Sequence, residues 1–424
     1  MNADTVLIYL DRARYYALDA VSTISQCLCK PDATLKINGR TYKVEKLLGE
    51  GGFSFVYLIQ DTSSLRHYAL KKILISSSSG MGGGGGEEAL KEVMKEVEAY
   101  RRFKHPNIIK ILDVAVVQSD EDGGGGKVVY LFLPYYQRGN LQDVISHQSI
   151  TNQRMSEKEM LRLFKGTCLA VRAMHKYRLP NIPQSSGADS ENPFSNPSTA
   201  SYPPKSKLDV PTLERGESSN ALEPLINDGQ VVFDGDEELV DEQNERTTRP
   251  DKGKGRAKDD DDLGELIPYA HRDIKPGNII ISDDGQPILM DFGSAKKARI
   301  HIDTRQEALL EQDVAAEHST LPYRAPELFD VKTGSWLDEK CDVWSLGCTL
   351  FALAYDYSPF EDPSQGGGSI AMAVGSGRYK HPTNSEWSKG FKLLIDSMLI
   401  LDPAQRPDID KVIELTDGVI KTIR

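Results

Sequence analysis

The sequence predicts an α+β protein of two lobes: a small antiparallel β-sheet lobe with one helix, then a large, mostly helical lobe. Three observations carry that prediction. Short runs before about Pro134 are rich in β-branched and apolar residues and bounded by Gly, Ser and Asp, as strands are. One segment among them, Glu87–Phe103, repeats apolar and charged residues at helical spacing. From Leu141 to Arg178 the pattern is helical. After a polar interruption at 181–266, folded character returns as short strands and then several helices up to Arg424.

The strand runs are Thr41–Leu48, Phe55–Gln60, His67–Leu74, Ile108–Val117 and Val128–Leu133, which predicts a five-stranded sheet. Gly82–Gly86 and Gly123–Gly126 fall between predicted elements and read as surface loops rather than phosphate-binding loops. The resulting divisions are an N-terminal segment at 1–38, the small lobe at 39–137 and the large lobe at 138–424. The interruption at 181–266 is rich in Pro, Ser, Asp and Glu and poor in aromatics, the composition of a disordered insertion. Its basic cluster Lys252–Lys258, beside Asp259–Asp262, reads as a solvated charge run rather than a nuclear signal.

The net charge of −12 is concentrated in that interruption, where 20 Asp and Glu face 9 Lys and Arg. The rest of the chain is close to neutral, so no basic excess is left to neutralise phosphates and a nucleic-acid partner is not expected. Five cysteines without a Cys-x-x-Cys pair point to a reduced, intracellular protein rather than a disulfide framework or a zinc site. No apolar stretch of ~18 residues predicts a membrane span. The first residues, Met1–Gln26, lack the basic-then-apolar order of a secretion signal.

Chemistry enters with Gly49-Glu50-Gly51-Gly52-Phe53-Ser54-Phe55-Val56, which joins two predicted strands. Glycines there let backbone amides approach phosphate oxygens, and the strand–strand context differs from a dinucleotide site, which would open a helix. Leu48 and Val56 would flank an adenine ring. On the next strand, Lys71 in Ala69-Leu70-Lys71 is a lysine among apolar neighbours and needs an anionic partner. ATP phosphates and Glu96, on the following helix, would supply one; Glu92 lies one turn away as the alternative.

The strongest signal is His271-Arg272-Asp273-Ile274-Lys275-Pro276-Gly277-Asn278, then a predicted hairpin, then Asp291-Phe292-Gly293. It brings two carboxylates and an amide to the end of one β-hairpin. Phosphoryl transfer needs such a set, a base near the acceptor hydroxyl and hard oxygen ligands for Mg²⁺ or Mn²⁺. Asp273 would orient and deprotonate the hydroxyl, Asn278 and Asp291 would hold the metal, and Lys275 would neutralise charge on the transferring group.

With these motifs the chain resembles a eukaryotic protein kinase over about 41–180 and 267–415. Ala325-Pro326-Glu327 resembles the end of the activation segment, and Asp342–Gly347 the buried Asp-containing helix of the large lobe. Arg406 resembles the arginine that pairs with that glutamate, here Glu327. Among kinases it is similar to the Numb-associated kinase group, and most to its small lipid-anchored serine/threonine member and the fungal vacuolar relative. The stretches that carry this are Leu48–Phe55, Phe103–Ile109, Gly285–Gly293 and Thr320–Leu328. Lys275 matches the serine/threonine pattern.

The resemblance implies transfer of the ATP γ-phosphate to Ser or Thr hydroxyls of protein substrates. Counting back from Gly139-Asn140-Leu141, Leu133 would be the gatekeeper and Pro134–Tyr136 the hinge, with Tyr136 donating its N–H to adenine. Cys27 and Cys29 lie where lipid-anchored relatives carry acylated cysteines. Residue 2 is Asn2, so N-myristoylation is not expected for this start. Palmitoylation of both cysteines would hold the chain on the cytoplasmic face of an internal membrane, vacuole or Golgi. Ser319 and Thr320 are candidate phosphorylation sites, with Arg272 placed to pair with the phosphate. The alternatives are a pseudokinase-type scaffold or binding module and a small-molecule kinase. Lys71, Asp273, Asn278 and Asp291 are all present, against the former, and the activation segment ending at Glu327 forms a peptide platform, against the latter.

Overall fold

A computed structural model describes residues 34–51, 54–75, 85–119, 126–179, 264–361, 369–383 and 385–423. Cys27, Cys29, the tip of the Gly-rich hairpin at Gly52 and Phe53, and most of 181–266 lie outside the described residues. The described residues within 34–179 and 265–423 belong to one compact unit. The two-lobed α+β architecture expected from the sequence is present.

The small lobe is an antiparallel sheet of β1 (Thr34–Ile37), β2 (Arg40–Gly51), β3 (Ser54–Asp61), β4 (His67–Ile75), β5 (Asp113–Ser119) and β6 (Gly126–Pro134). Their spatial order is β1-β2-β3-β4-β6-β5. That is six strands rather than five, and the extra one falls inside the segment assigned to the N-terminus. Its cause is local. Asn38 and Gly39 both take positive φ, 50° and 74°, and close a two-residue hairpin that pairs Ile37 with Arg40.

A second difference concerns Ile108–Val117. Only its later half is strand; Ile108 instead stands in an isolated bridge opposite Leu289, with its neighbours Asn107 and Ile109 bonding across to the large lobe. Ile109 N–H donates to Leu289 O at 3.0 Å and Leu289 N–H to Asn107 O at 2.8 Å. The β-branched run is therefore shared between two lobes.

Helix α1 (Gly85–Arg102) lies on one sheet face, with Val97 buried against Ile73, Ile75, Val129 and Leu131. Leu90, Val93 and Met94 extend the same apolar stripe, the i, i+3, i+4 spacing of one helix face.

In the large lobe, α2 (Leu141–Thr151) starts at a capping box in which Asn140 and Asp143 satisfy each other's backbone N–H groups. Helix α3 (Glu157–His175) packs on the hairpin β8 (Ile279–Ile281) and β9 (Pro287–Leu289). Gly166 allows this close approach, since a Cβ there would stand 2.5 Å from Pro287 Cγ. The chain leaves for the insertion just after α3 and returns beside it. Leu179 N–H donates to Glu265 O at 2.9 Å and Ile267 N–H to Tyr177 O at 2.8 Å. Glu265 and Leu266, placed in the insertion by composition, thus belong to the contacts of the large lobe.

The return leads into β7 (Tyr269–Ala270), which pairs with β10 (Lys296–Lys297), and later β11 (Ile300–His301) pairs with β12 (Trp336–Leu337). Between these lies α4 (Arg305–His318), followed by α5 (Lys340–Tyr355), α6 (Ile370–Ser376), α7 (Lys389–Met398) and α8 (Ile409–Thr422). Every residue of α5 except Lys340 is buried, and it forms the axis of the lobe. Cys341 and Cys348 on α5 and Cys168 on α3 are buried core residues, and burial pushes their thiols well above the usual range.

Glu327 and Arg406 meet in two hydrogen bonds of 2.7 Å, Nη1 to Oε1 and Nη2 to Oε2. The Arg406 side chain is fully buried. Removing only the carboxylate strands a buried cation. Glu327→Ala is expected to cost about 3–5 kcal/mol in urea unfolding; a midpoint equal to wild type would show that Arg406 is satisfied without it.

Candidate active site

Strand register brings the small-lobe residues to one face. Val56 on β3 stands opposite Lys71 on β4, which stands opposite Leu131 on β6. Ala69, two residues before Lys71 and therefore on the same face, pairs with Leu133. Gly49 pairs with Val56 and Gly51 with Ser54, so the glycines edge this face at the end of β2, beside the exposed Leu48. Leu133 is buried; β6 ends at Pro134, and the half-buried Tyr136 follows.

Lys71 Nζ lies 2.7 Å from Glu96 Oε1 and 3.0 Å from Asp291 Oδ1. Glu92, by contrast, is exposed and bonds Lys95 on its own helix. The cation holds the Asp291 carboxyl at about 2, well below the usual range, despite burial. Burial acts on Lys71 the other way, but Asp291 and Glu96 outweigh it and hold the ammonium charged. Phe292 anchors this arrangement, with its ring 5.1 Å from Tyr100 of α1 and 5.3 Å from His271.

The loop His271–Asn278 is shaped by a carboxylate far away in sequence. Asp342, on α5, accepts from His271 N–H at 2.7 Å and Arg272 N–H at 2.8 Å, and also meets His175 Nε2 at 2.9 Å. Burial raises its pKa, but the bonds to His175 and His271 lower it further, so it stays ionised. Arg272 is held at φ 67°, a conformation a non-glycine residue rarely takes without such support.

Beyond it, Asp273 collects three neighbours. Its Oδ2 accepts from Asn278 Nδ2 at 3.0 Å and lies 2.8 Å from Lys275 Nζ; its Oδ1 accepts from the Thr320 hydroxyl at 2.7 Å and amide at 2.9 Å. Asn278 Nδ2 also donates to Asp273 O at 2.8 Å, which leaves Oδ1 of Asn278 as the oxygen available to a cation. A hard divalent ion bound mainly by substrate phosphates needs just one or two such protein oxygens, and Asn278 with Asp291 fits that donor set.

Thr320 is therefore not an open acceptor as placed here. Its hydroxyl also accepts from Lys275 Nζ at 2.6 Å, and a phosphate on it would face the Asp273 carboxylate. The Ser319 hydroxyl donates to Ala315 O at 2.6 Å and accepts from Arg324 Nε at 2.7 Å. Arg272, expected to await a phosphate, is met instead by Glu311 of α4 at 2.6 Å. Lys296 Nζ lies 3.3 Å from the other oxygen of Glu311. The Glu311 carboxyl is raised by burial, but lowered overall by Arg272 and Lys296.

Glu311 and α4 are not among the features expected from the sequence. The signal was present in Thr304-Arg305-Gln306-Glu307, a capping box in which Thr304 Oγ1 accepts from Glu307 N–H and Glu307 returns a bond to Thr304 N–H. Asn107 was also missed; its side chain donates to Pro287 O at 2.8 Å and joins the lobes behind the cleft.

The model of the protein kinase domain family matches residues 42–180 and 268–416, on either side of the insertion. The chain is 33% identical to the serine/threonine-protein kinase ENV7 of Saccharomyces cerevisiae, over 92% of this chain and 95% of that protein. It is 31% identical to the serine/threonine-protein kinase ppk13 of Schizosaccharomyces pombe, over 95% and 96% respectively. With human serine/threonine-protein kinase 16 it shares 29% identity over 90% of this chain and 91% of the relative.

If the Arg272–Glu311 pair holds α4 in place, Glu311→Gln should speed amide hydrogen exchange in α4 by about tenfold, the equivalent of ~1.4 kcal/mol. Exchange in the β8–β9 hairpin should stay at the wild-type rate. Equal α4 exchange in variant and wild type would mean that packing alone fixes the helix.

Proposed function

The chain belongs to the protein kinase family, and on that premise we propose which of its residues carry out the transfer and where in the cell it works. It is an ATP-dependent serine/threonine protein kinase, using ATP with Mg²⁺ and protein substrates that offer Ser or Thr hydroxyls. The observation that carries the residue assignment is the joint placement of two charge clusters, Lys71–Glu96–Asp291 and Asp273–Lys275–Asn278.

Asp273 is the base. Its Oδ1 holds Thr320 and its Oδ2 faces Lys275, so its orientation is set before a substrate arrives. An acceptor hydroxyl within hydrogen-bond reach of this carboxylate would give up its proton to it as its oxygen bonds the γ-phosphorus and the bond from that phosphorus to the ADP leaving group breaks. Lys275, held by Asp273 and Thr320, offsets negative charge on the group being transferred. Lys71, fixed by Glu96, orients the ATP phosphates beneath the glycine hairpin of Gly49 and Gly51. Asn278 and Asp291 would hold the metal, which when bound neutralises charge on the phosphates. The adenine would lie between Leu48, Val56, Ala69 and Leu133, with Tyr136 at the hinge.

The Arg272–Glu311 pair supports a further point. A carboxylate of the chain itself meets the arginine that would otherwise pair with a phosphate, so the fold of the activation segment does not depend on phosphorylated Ser319 or Thr320.

The site of action is proposed on the sequence alone. Acylated Cys27 and Cys29 would hold the kinase on the cytoplasmic face of a vacuolar or Golgi membrane, since two chains anchor where one holds weakly. Among the described residues no helix is long and apolar enough to cross a membrane.

Two experiments check these assignments. Asp273→Asn keeps the size of the side chain but removes its charge and basicity and turns one of its two accepting oxygens into a donor, and should slow transfer of labelled phosphate to a Ser/Thr peptide by about a hundredfold or more; transfer at the wild-type rate rules out the base. The double change Cys27→Ser, Cys29→Ser should move the protein from the membrane to the soluble fraction of a cell lysate. Continued sedimentation with membranes removes the acyl anchor from the account.

A further inference from the structure

Arg102 ends α1, six positions after Glu96. At 1.5 Å per residue the two are about 9 Å apart along the helix axis. Arg102 Nη1 donates to Tyr269 Oη at 2.6 Å. Its guanidinium carbon lies 4.9 Å from the Tyr269 ring centre and 5.9 Å from that of Tyr177, and Nη2 lies 3.6 Å from Glu98 of the same helix. The next residue, Phe103, meets Tyr269 edge-on at 5.2 Å and Tyr177 at 5.5 Å, and lies 6.0 Å from Phe292.

Both tyrosines are fixed by backbone of the large lobe. Tyr269 pairs with Lys297 in the β7–β10 ladder and lies two residues before His271. The carbonyl of Tyr177 accepts from Ile267 N–H across the base of the insertion. Arg102 therefore bonds a small-lobe helix to a side chain on the strand that leads into the catalytic loop. The contacts of Phe103 resist separation but do little to fix rotation, because apolar packing is not directional. A charge-assisted hydrogen bond is directional, and here it is joined by cation–π attraction and by a cation at a helix C-terminus.

We infer that Arg102 is a positioning residue for phosphoryl transfer: by tying the end of α1 to Tyr269 it keeps Glu96 within reach of Lys71. Arg102 touches neither residue and acts through the helix. The inference rests on the role proposed for the Lys71–Glu96 pair.

The test uses the full chain, with kcat, peptide KM and thermal midpoint measured for each variant. Arg102→Met should lower kcat about tenfold while peptide KM stays within about twofold, an effect on the transition state rather than on peptide binding. Tyr269→Phe keeps the ring and removes the acceptor, and should lower kcat about threefold. The double variant should be no slower than Arg102→Met, because the two residues act through one bond. Arg102→Lys, which keeps a cation and a donor, should restore most of the rate.

Wild-type kcat in Arg102→Met overturns the inference, as do losses that multiply in the double variant or that match the fraction unfolded at the assay temperature. Glu96→Gln is measured alongside. A slowed Glu96→Gln with a normal Arg102→Met refutes the tether alone; both at the wild-type rate refute the role of the Lys71–Glu96 pair as well.

Discussion

The carboxylate of Asp342 lies wholly buried in the large lobe, and the shape of the catalytic loop depends on it. A lone carboxylate in such a place would be unaffordable without compensation. Compensation comes from the N–H groups of His271 and Arg272 and from the His175 ring. The dependence runs both ways. The loop satisfies the charge, and the charge holds Arg272 in a left-handed conformation that its side chain disfavours. That turn in the backbone sends Asp273 toward Lys275 and Asn278 and leaves the Arg272 side chain on the side of Glu311.

Two ionic clusters divide the work from there. One, around Lys71, takes one member from a strand, one from a helix and one from the segment after β9, so it exists only when both lobes are in register. The other, around Asp273, draws Thr320 from the activation segment and exists only when that segment is folded. Glu311 ties Arg272, the chain neighbour of Asp273, to α4 by a charge kept at neutral pH, its carboxyl being lowered by Arg272 and Lys296. Asp273 and Lys275 thus belong both to the site and to the contacts that hold the activation segment at Thr320.

The long acidic insertion is accommodated by local means. Tyr177 and Glu265 carry the carbonyls of two backbone hydrogen bonds that close its base beside the end of α3, and the core on either side is undisturbed. The same base contributes Tyr177 to the aromatic group around Arg102 and Phe103. The cluster joins the end of α1, the strand into the catalytic loop and Phe292. Asn107 and Ile109 bind the lobes from behind at Pro287 and Leu289, so the small lobe is held along a line of contacts rather than at the hinge alone.

Much of this was legible in the sequence because the signals are local. Strand runs, the apolar stripe of α1 and the spacing of Asp273, Asn278 and Asp291 follow from chemistry within a few residues, and they specified the lobes and the family. Two local signals were present and passed over, the Asn38-Gly39 turn that makes a sixth strand and the Thr304–Glu307 capping box that opens α4. What only the tertiary structure decided are pairings between residues far apart in the chain. Ile108 and Ile109 read as strand with the run that follows, yet Ile109 and the carbonyl of Asn107 bond to Leu289; Arg272 meets Glu311 of α4; Thr320 is enclosed by Asp273 and Lys275. A charged or hydroxyl side chain carries no mark in sequence of which distant partner will satisfy it. Burial selects that partner, and burial belongs to the folded chain as a whole.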